Sequence, residues 1–337
     1  MSCCNFCAGM VLRIMRKLLF LLSFLCISLH AVARAQSAGD YPVRPIRVIV
    51  PYPPGGSTDI IARTINVRLA AQLKQQLVID NRAGGGGNVG HEIAARATPD
   101  GYTLLVAISA ITSNPAISAR ASYDPTKDFT PLMMIARAPY RLVIFPGVAA
   151  NTLQEFIALG KAKPGSLNYG SAGSGSAVHL AAELLLRQTG VRMTHVPYKG
   201  SGPAMVDLIA GQIQMVLGGT LSTAPHIKTG RARALAVTSL KRRADAPDLP
   251  TVAETVAPGY EAFEWFAVFT PAGVPKPIID KLHAELIKAA NDTEVKDRLI
   301  ANGMDFVGSS PAELADVVKR DFAKWSKLIK ETGLKAD

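Results

Sequence analysis

Cysteine is confined to the start of this chain, at Cys3, Cys4, Cys7 and Cys26. Residues 27–337 therefore offer no thiol for a disulfide, a thiolate metal site or a cysteine nucleophile. A chain of this length buries enough apolar surface to fold without such cross-links. We expect the fold to depend on packing and hydrogen bonding alone.

Long apolar runs are equally scarce. The run over residues 18–29 is shorter than the roughly 20 residues that a helix needs to cross a bilayer. The charged residues just before it are Arg13, Arg16 and Lys17. Ala33 and Ala35 then offer the A-x-A pattern of a signal-peptidase site. We predict a signal peptide over 1–35, a mature chain that begins at Gln36, and export.

Two points about this leader stay open. Cleavage after Ala33 instead of Ala35 is an alternative, and Met15 is an alternative start of translation. An uncleaved membrane anchor is disfavoured, because the apolar run is short and a small-residue cleavage site follows it.

The excess of positive charge is moderate. The net charge is +11 at pH 7, and because four positive charges lie in 1–35, the remainder carries +7. Such a surface favours an acidic ligand, or it serves solubility only. The densest basic residues are Arg231, Arg233, Lys241, Arg242 and Arg243. No aromatic residues interleave them, so we expect no nucleic-acid partner.

Strand and helix signals alternate along the chain. Short β-branched or apolar runs predict strands at 46–50, 77–79, 102–107, 142–145, 193–196, 213–217, 234–237 and 265–269. Amphipathic stretches between them predict helices, the first with Ile61, Ile65, Leu69 and Leu73 on one face. This alternation predicts an α/β fold with parallel sheets, and the length favours two domains.

Two loops rich in glycine and serine, over 51–59 and 169–176, each follow a predicted strand and open a predicted helix. Glycine lets backbone N–H groups converge, and a helix N-terminus adds positive partial charge. Ligands of α/β folds bind beyond the carboxyl ends of strands, where both loops lie. We therefore predict two half-sites for one anion. We expect Thr58 or Ser57 to cap the first helix.

A third loop, over 196–203, has similar chemistry, with Lys199 and Ser201 suited to an anion. The simpler interpretation is a capped turn with Lys199 in solvent. Tyr198 either lines the cleft or packs against its neighbours.

Catalytic and cofactor motifs are weak. Residues 85–90 match G-x-G-x-x-G, but the acidic residue expected about 20 residues later is Asp100, which lies in a turn. We interpret this segment as a strand-to-helix turn near the cleft. There is no G-x-S-x-G elbow, and no histidine pair has zinc-site spacing. His179 either donates to a ligand or bonds a neighbouring loop. We predict no catalytic residue, cofactor or metal.

Several long motifs occur in one order, and together they resemble those of the Bug-type substrate-binding proteins of tripartite tricarboxylate transporters. The segments are 51–59, 81–90, 99–105, 170–179, 195–200, 235–239 and 250–254. The resemblance covers essentially the whole chain after the leader.

The resemblance implies a periplasmic receptor with the two-lobed type II binding-protein fold: two α/β domains joined by two crossing strands and closing like a flytrap. The first lobe would comprise 36–139 and 266–337, and the second 140–265. We place the crossings near 137–143 and 264–269.

The resemblance further implies a monomer that captures a small di-, tri- or aromatic carboxylate, without chemistry, and delivers it to membrane permease subunits. A sensor feeding a signalling system is the alternative, and an exported hydrolase is disfavoured. The first half-site would be formed by Tyr52, Gly55, Gly56, Ser57 and Thr58, joined by Ser109 and Ala110. The second half-site would be formed by Ser171, Gly173, Ser174, Gly175 and His179, with Tyr198 nearby.

One segment departs from the family pattern. Where many members carry an aspartate–asparagine pair, this chain has Gly218-Gly219-Thr220. We expect Gly219 and Thr220 to border the ligand. A missing carboxylate at this place argues against an amino-acid ligand, and the glycines leave room for a bulkier acid.

Overall fold

Two β-sheets with helices packed against them organise the chain in this computed structural model. The described residues are 41–118, 121–198, 200–301 and 303–334. The predicted signal peptide over 1–35, the start at Gln36 and Lys199 lie outside them. Within the described residues, no helix has both the length and the apolar character needed to cross a membrane.

The first sheet has six strands in the described residues and is mixed. In spatial order they are β11 (Asp305–Phe306), β4 (Phe129–Pro139), β10 (Phe263–Pro271), β3 (Thr103–Ile108), β1 (Ile46–Val50) and β2 (Leu77–Asn81). Strand β1 runs parallel to β2 and β3, whereas β10 runs antiparallel to β3 and β4.

The second sheet has five strands in the same part of the chain. They are, in order, β7 (Thr194–Pro197), β6 (Asn168–Ser171), β8 (Met215–Gly218), β5 (Arg141–Ile144) and β9 (Arg233–Val237). Strand β6 is parallel to β7 and β8, but β5 is antiparallel to β8 and β9. The expectation of purely parallel sheets was therefore wrong. Strands β5 and β10 each enter their sheet from the other sheet, not through a βαβ crossover, and this lets them run antiparallel.

Helices occupy most of the segments between strands. Around the first sheet they are α1 (Ser57–Leu73), a 3-10 helix (Gly85–Gly87), α2 (Asn88–Ala95), α3 (Ala110–Ile117), α9 (Lys276–Ala290), α10 (Thr293–Ala301) and α11 (Pro311–Thr332). Around the second sheet they are α4 (Leu153–Ala162), α5 (Ala177–Thr189), α6 (Ser201–Ile209), α7 (Thr220–Lys228) and α8 (Val252–Thr255). The apolar stripe predicted for α1 is buried along its whole length.

Helix α11 connects elements of both sheets. It begins with a capping box, in which Ser310 and Glu313 satisfy each other's backbone N–H groups, and with Pro311 in its first turn. Its residues Trp325 and Leu328 share an apolar cluster with Ile117 of α3 and Leu180 of α5. The last helix therefore packs on both sides of the molecule.

The chain passes between the sheets twice. Strand β4 ends at Pro139 and β5 begins at Arg141, so the first passage takes place at Tyr140. The second passage leads from β9 to β10, whose first residue is Phe263. These passages are the two connections that the fold class requires; the exact lobe boundaries stay predictions.

Thr238 is fully buried and holds both passages together. Its hydroxyl donates to the Ala262 carbonyl at 2.7 Å and accepts from the Tyr140 N–H at 2.7 Å. Its backbone N–H donates to the Tyr140 carbonyl at 3.0 Å, and its carbonyl accepts from the Ala262 N–H at 3.1 Å. One residue thus fixes the spacing of the two chain segments that join the sheets.

Replacing Thr238 with valine should destabilise the protein by about 1–3 kcal/mol, because a buried N–H and a buried carbonyl lose their partner while the shape is kept. Chemical denaturation measures this change. Thr229→Val is the matched control: its hydroxyl is exposed, its contacts with the Pro225 and His226 carbonyls and with Arg231 are local, and the cost should stay below about 0.5 kcal/mol. Equal effects of the two substitutions would contradict the role given to Thr238.

Candidate functional site

A cavity of 740 Å³ lies where strand ends of the two sheets face each other. From the first sheet's side it is lined by Tyr52, Gly85, Gly86, Asn88, Val89, Glu92, Ile108, Ala110, Asn114, Ile117, Ser118 and Glu264. From the passage and the second sheet's side it is lined by Tyr140, Ala172, Gly173, Ser174, Gly175, Ser176, Ala177, Val178, Ser201 and Gly219.

Five helices of the described chain begin on this wall. The residues that mark them are Asn88 of α2, Ala110 of α3, Ala177 of α5, Ser201 of α6 and Gly219, the N-cap of α7. A helix N-terminus presents unpaired N–H groups and about half a positive charge. No lysine, arginine or histidine lies among the described residues of the wall. The attraction that the described wall offers an anion therefore comes from the helix N-termini.

The second glycine loop is held from behind by side chains. Gly175 N–H donates to Nδ1 of His179 at 2.9 Å, and Gly173 N–H donates to the Ser171 hydroxyl at 3.2 Å. The N-cap hydroxyl of Ser176 accepts from the His179 N–H. The N–H groups of Ala177 and Val178 have no acceptor among the described residues, and both residues line the cavity.

A pair of stacked histidines supports this loop. The rings of His179 and His195 lie 3.8 Å apart and are nearly parallel. The Ser171 hydroxyl is 2.7 Å from Nε2 of His195. Both Ser171 and His179 are almost fully buried behind the loop, and neither lies on the cavity wall. Of the two interpretations of His179, the geometry shows the hydrogen bond to the neighbouring loop.

The first glycine loop reaches the cavity only through Tyr52. The N-terminus of α1 is already occupied by a carboxylate of its own first turn, because Asp59 accepts from the Gly55 N–H at 2.9 Å. Asp59 also accepts from Arg63 at 2.8 Å and from Asn81 at 3.0 Å. The hydrogen bond from Arg63, with those from Gly55 and Asn81, lowers the pKa of Asp59 to about 2.

The expected caps of this helix were wrong. Its N-cap is Gly56, which makes no side-chain cap, and both Ser57 and Thr58 lie inside the first turn. Asp59 instead brings a negative charge to this helix end, and its carboxylate accepts from the Gly55 N–H just before the N-cap.

The glycine run at 84–87 takes the place on the wall that was expected for the first loop. All four glycines have positive φ, from 56° at Gly85 to 142° at Gly84. A Cβ on Gly87 would lie 2.9 Å from the Tyr52 hydroxyl, so only glycine fits this close approach. Asn114 fixes the turn from the other side, as its Nδ2 donates to the Gly86 carbonyl at 3.0 Å.

An unpartnered carboxyl also lies on the wall. Glu264, on β10, makes no hydrogen bond or ion pair with a described residue, and burial raises its pKa to about 7. The hydroxyls of Tyr140 and Ser109 are buried and interact with each other. Burial, followed by the Glu264 charge, raises the pKa values of Tyr52 and Tyr140 well above the usual phenol range.

The predicted site residues divide into two groups. Those on the cavity wall are Tyr52, Ala110, Gly173, Ser174, Gly175 and Gly219. Those elsewhere are Gly55, Gly56, Ser57, Thr58, Ser109, Ser171, His179, Tyr198 and Thr220. Tyr198 donates to Asp207 at 2.7 Å and packs against an apolar cluster. Thr220 lies against Gly303: a Cβ added to Gly303 would be only 2.5 Å from the Cβ of Thr220.

Sequence reasoning missed Tyr140 and Glu264 as parts of the wall, whereas the turn before α2 was expected near the cleft and Ser201 of α6 was weighed as an anion ligand. The signal for the glycine run was present, since it was predicted to turn near the cleft. A signal for Glu264 was also present: it is an acidic residue directly before the apolar run at 265–269.

Comparison with known proteins gives a consistent result. The family described as tripartite tricarboxylate transporter family receptor matches residues 61–334. Protein BugT of Bordetella pertussis is 36% identical over 311 residues, which is 92% of this chain and 95% of BugT.

Two solved structures are similar in sequence and in fold. The R. palustris protein Rpa4515, solved with adipate, is 35% identical with a TM-score of 0.76, covering 88% of this chain and 99% of that one. MatC of Rhodopseudomonas palustris, solved with bound malate, is 32% identical with a TM-score of 0.74, covering 86% and 100%.

Replacing Gly90 with alanine should destabilise the cavity wall. The new Cβ would lie 2.8 Å from the backbone Cα of Pro51, which cannot move aside without displacing Tyr52. We expect a loss of about 1–3 kcal/mol in the free energy of unfolding, measured by denaturant titration. Gly202→Ala is the control, because nothing lies within 4 Å of its Cβ position. An unchanged free energy of unfolding in Gly90→Ala would show that the turn accommodates a Cβ and would contradict this prediction.

Proposed function

We propose that this chain, which belongs to the family of tripartite tricarboxylate transporter receptors, captures a small organic carboxylate in the cavity and delivers it to the membrane subunits of such a transporter. The observation that carries the proposal is the wall on which five helices begin without a cationic side chain among its described residues. Such a wall attracts an anion through N–H groups and dipoles.

Hydrogen bonds supply enough affinity for a receptor. Bonds to a charged acceptor contribute roughly 1.5–3 kcal/mol each, net of water. The free N–H groups of Ala177 and Val178 provide two, and Ser174 and Ala110 lie beside them on the wall. A few such bonds, less the entropy of closing, are compatible with micromolar binding, which corresponds to about 8 kcal/mol.

The ligand that we propose is a dicarboxylate, with tricarboxylates and aromatic acids as the next candidates. Two similar receptors were solved with adipate and with malate, both of which are small diacids. The cavity of 740 Å³ has ample room for acids of this size. The protein would act in the periplasm as a monomer and would release the acid unchanged.

Closure of the two sheets over the ligand would turn about the passages at Tyr140 and before Phe263. Short segments that join two packed bodies are where hinge motion concentrates. We propose that the ligand contacts both sides and stabilises the closed form, because it adds partners to N–H groups that otherwise face water.

Thermal-shift screening of the exported domain against adipate, malate, citrate, benzoate and aspartate tests this proposal. An acid at about 100 times its Kd adds about 2.7 kcal/mol to the free energy of unfolding, and the melting temperature rises accordingly. If none of these acids shifts the melting temperature, the receptor proposal is wrong.

A blocked cavity should abolish the shift without unfolding the protein. Gly219 has φ −64° and ψ 162°, which any residue adopts, and nothing lies within 4 Å of its Cβ position. Gly219→Phe should therefore fold normally and lose the response to the acid, while Gly202→Phe, away from the wall, should keep it. In cells that depend on the chain for uptake, Gly219→Phe should also stop uptake. Full binding by Gly219→Phe would place the ligand elsewhere.

A further inference from the structure

The carboxyl group of Glu264 is unexpected on the wall of a cavity that is proposed to bind anions. Its half-buried carboxyl lies on the wall, and no described residue gives it a hydrogen bond or a counter-charge. Glu92, the other described carboxyl on the wall, already accepts from the Ser122 N–H at 3.0 Å. The charge of Glu264 interacts with the phenols of Tyr52 and Tyr140.

A ligand carboxylate in the same cavity makes this arrangement costly if Glu264 is ionised. Two carboxylates that share a site cannot both keep their charge, and the pKa of one rises strongly. Burial already raises the pKa of Glu264 to about 7 in the empty cavity. A bound anion moves that pKa further in the same direction.

We infer, resting on the proposed function, that Glu264 binds the ligand carboxylate as the neutral acid and donates its proton to a ligand oxygen. Each acid captured well above neutral pH then takes up close to one proton from solvent. The proton stays on the Glu264 carboxyl while the acid is bound and returns to solvent after release. No covalent bond of the ligand changes.

Several ionisable groups around Glu264 keep one charge state at neutral pH. Tyr52 and Tyr140 keep their protons at neutral pH, since burial raises their pKa values. His91, behind Gly87, stays neutral because burial lowers its pKa to about 3. A separate cavity beside β10 is lined by the charged residues Arg137, Glu261, Glu313, Arg320, Asp321 and Lys324. Glu92 and the His179–His195 pair are the remaining ionisable groups near the wall.

The inference also names the class of ligand. A neutral acid donates to a carboxylate but gives an ammonium group no counter-charge. The receptor should therefore prefer simple acids such as adipate to amino acids such as aspartate. This preference agrees with the expectation from Gly218–Thr220, but its cause is the protonation of Glu264 and not a missing carboxylate.

Titration calorimetry with adipate and malate between about pH 6 and 9 tests the inference. As the pH rises through the pKa of the free receptor, Kd should rise by up to about tenfold per pH unit. Repeating the titration in buffers of different ionisation enthalpy should reveal uptake of about one proton near pH 8 and almost none near pH 6.

Glu264→Gln supplies the decisive comparison, because an amide imitates the neutral acid at every pH. Its affinity for the acid should equal that of the unchanged protein near pH 6 and should stay constant as the pH rises. Near pH 8 its affinity should therefore exceed that of the unchanged protein by about tenfold. Glu261→Gln, three residues earlier and outside the cavity wall, should keep the pH dependence.

The outcomes separate this inference from the receptor proposal. Binding that does not depend on pH, or a pH dependence that survives in Glu264→Gln and so comes from other groups such as the histidine pair, would overturn the inference alone. Tighter binding of aspartate than of adipate, lost in Glu264→Gln, would show an ionised acceptor and also overturn it. If neither adipate nor malate binds the unchanged protein at any of these pH values, both proposals fall.

Discussion

The hydrogen bonds of Thr238 to Tyr140 and Ala262 set the geometry on which the two sheets depend. They fix Tyr140, where the chain first leaves the first sheet, against Ala262, where it returns. Because both passages are held at one residue, the strand ends of the two sheets face each other across a single cavity. The glycine turns, the helix starts and Glu264 all derive their proximity from this junction.

The two glycine-rich loops share one sequence pattern but have different roles. Both open a helix, and both N-termini favour a negative charge. In the first loop that charge belongs to Asp59, which is bonded by the loop, by Arg63 and by Asn81. In the second loop no acidic residue occupies the first turn of α5, and two N–H groups remain available. An acidic residue in the third helical position therefore distinguishes a helix end that carries its own negative charge from one that does not.

Much of the fold was predictable because local signals agreed with the tertiary structure. Strand β1 occupies the predicted residues 46–50, and the stripe of α1 is the face that is buried. Strand β4 was not predicted, since Pro131 and Arg137 interrupt its apolar pattern. The antiparallel direction of β5 and β10 was also inaccessible, because direction depends on which sheet a strand comes from.

The type of site was predictable from the sequence, but several of the residues that form it were not. The second loop and Gly219 lie on the cavity wall as expected, but most of the first loop does not. The difference depends on the side chain of Asp59, whose bonds to Arg63 and Asn81 form only in the folded chain. Glu264 escaped notice because one acidic residue beside an apolar strand is usually interpreted as the solvent-exposed end of that strand.

A wall whose positive potential belongs to the backbone has a consequence for how such proteins diversify. No exchange of a single charged side chain removes that potential, since every residue contributes the same peptide dipole. Side chains on the wall are then free to change in size and polarity over evolutionary time while the attraction for an anion persists. A scaffold of this kind can pass from one acid to another through neutral intermediates, and it loses the anion only when a helix end is moved or refilled, as Asp59 refills the first.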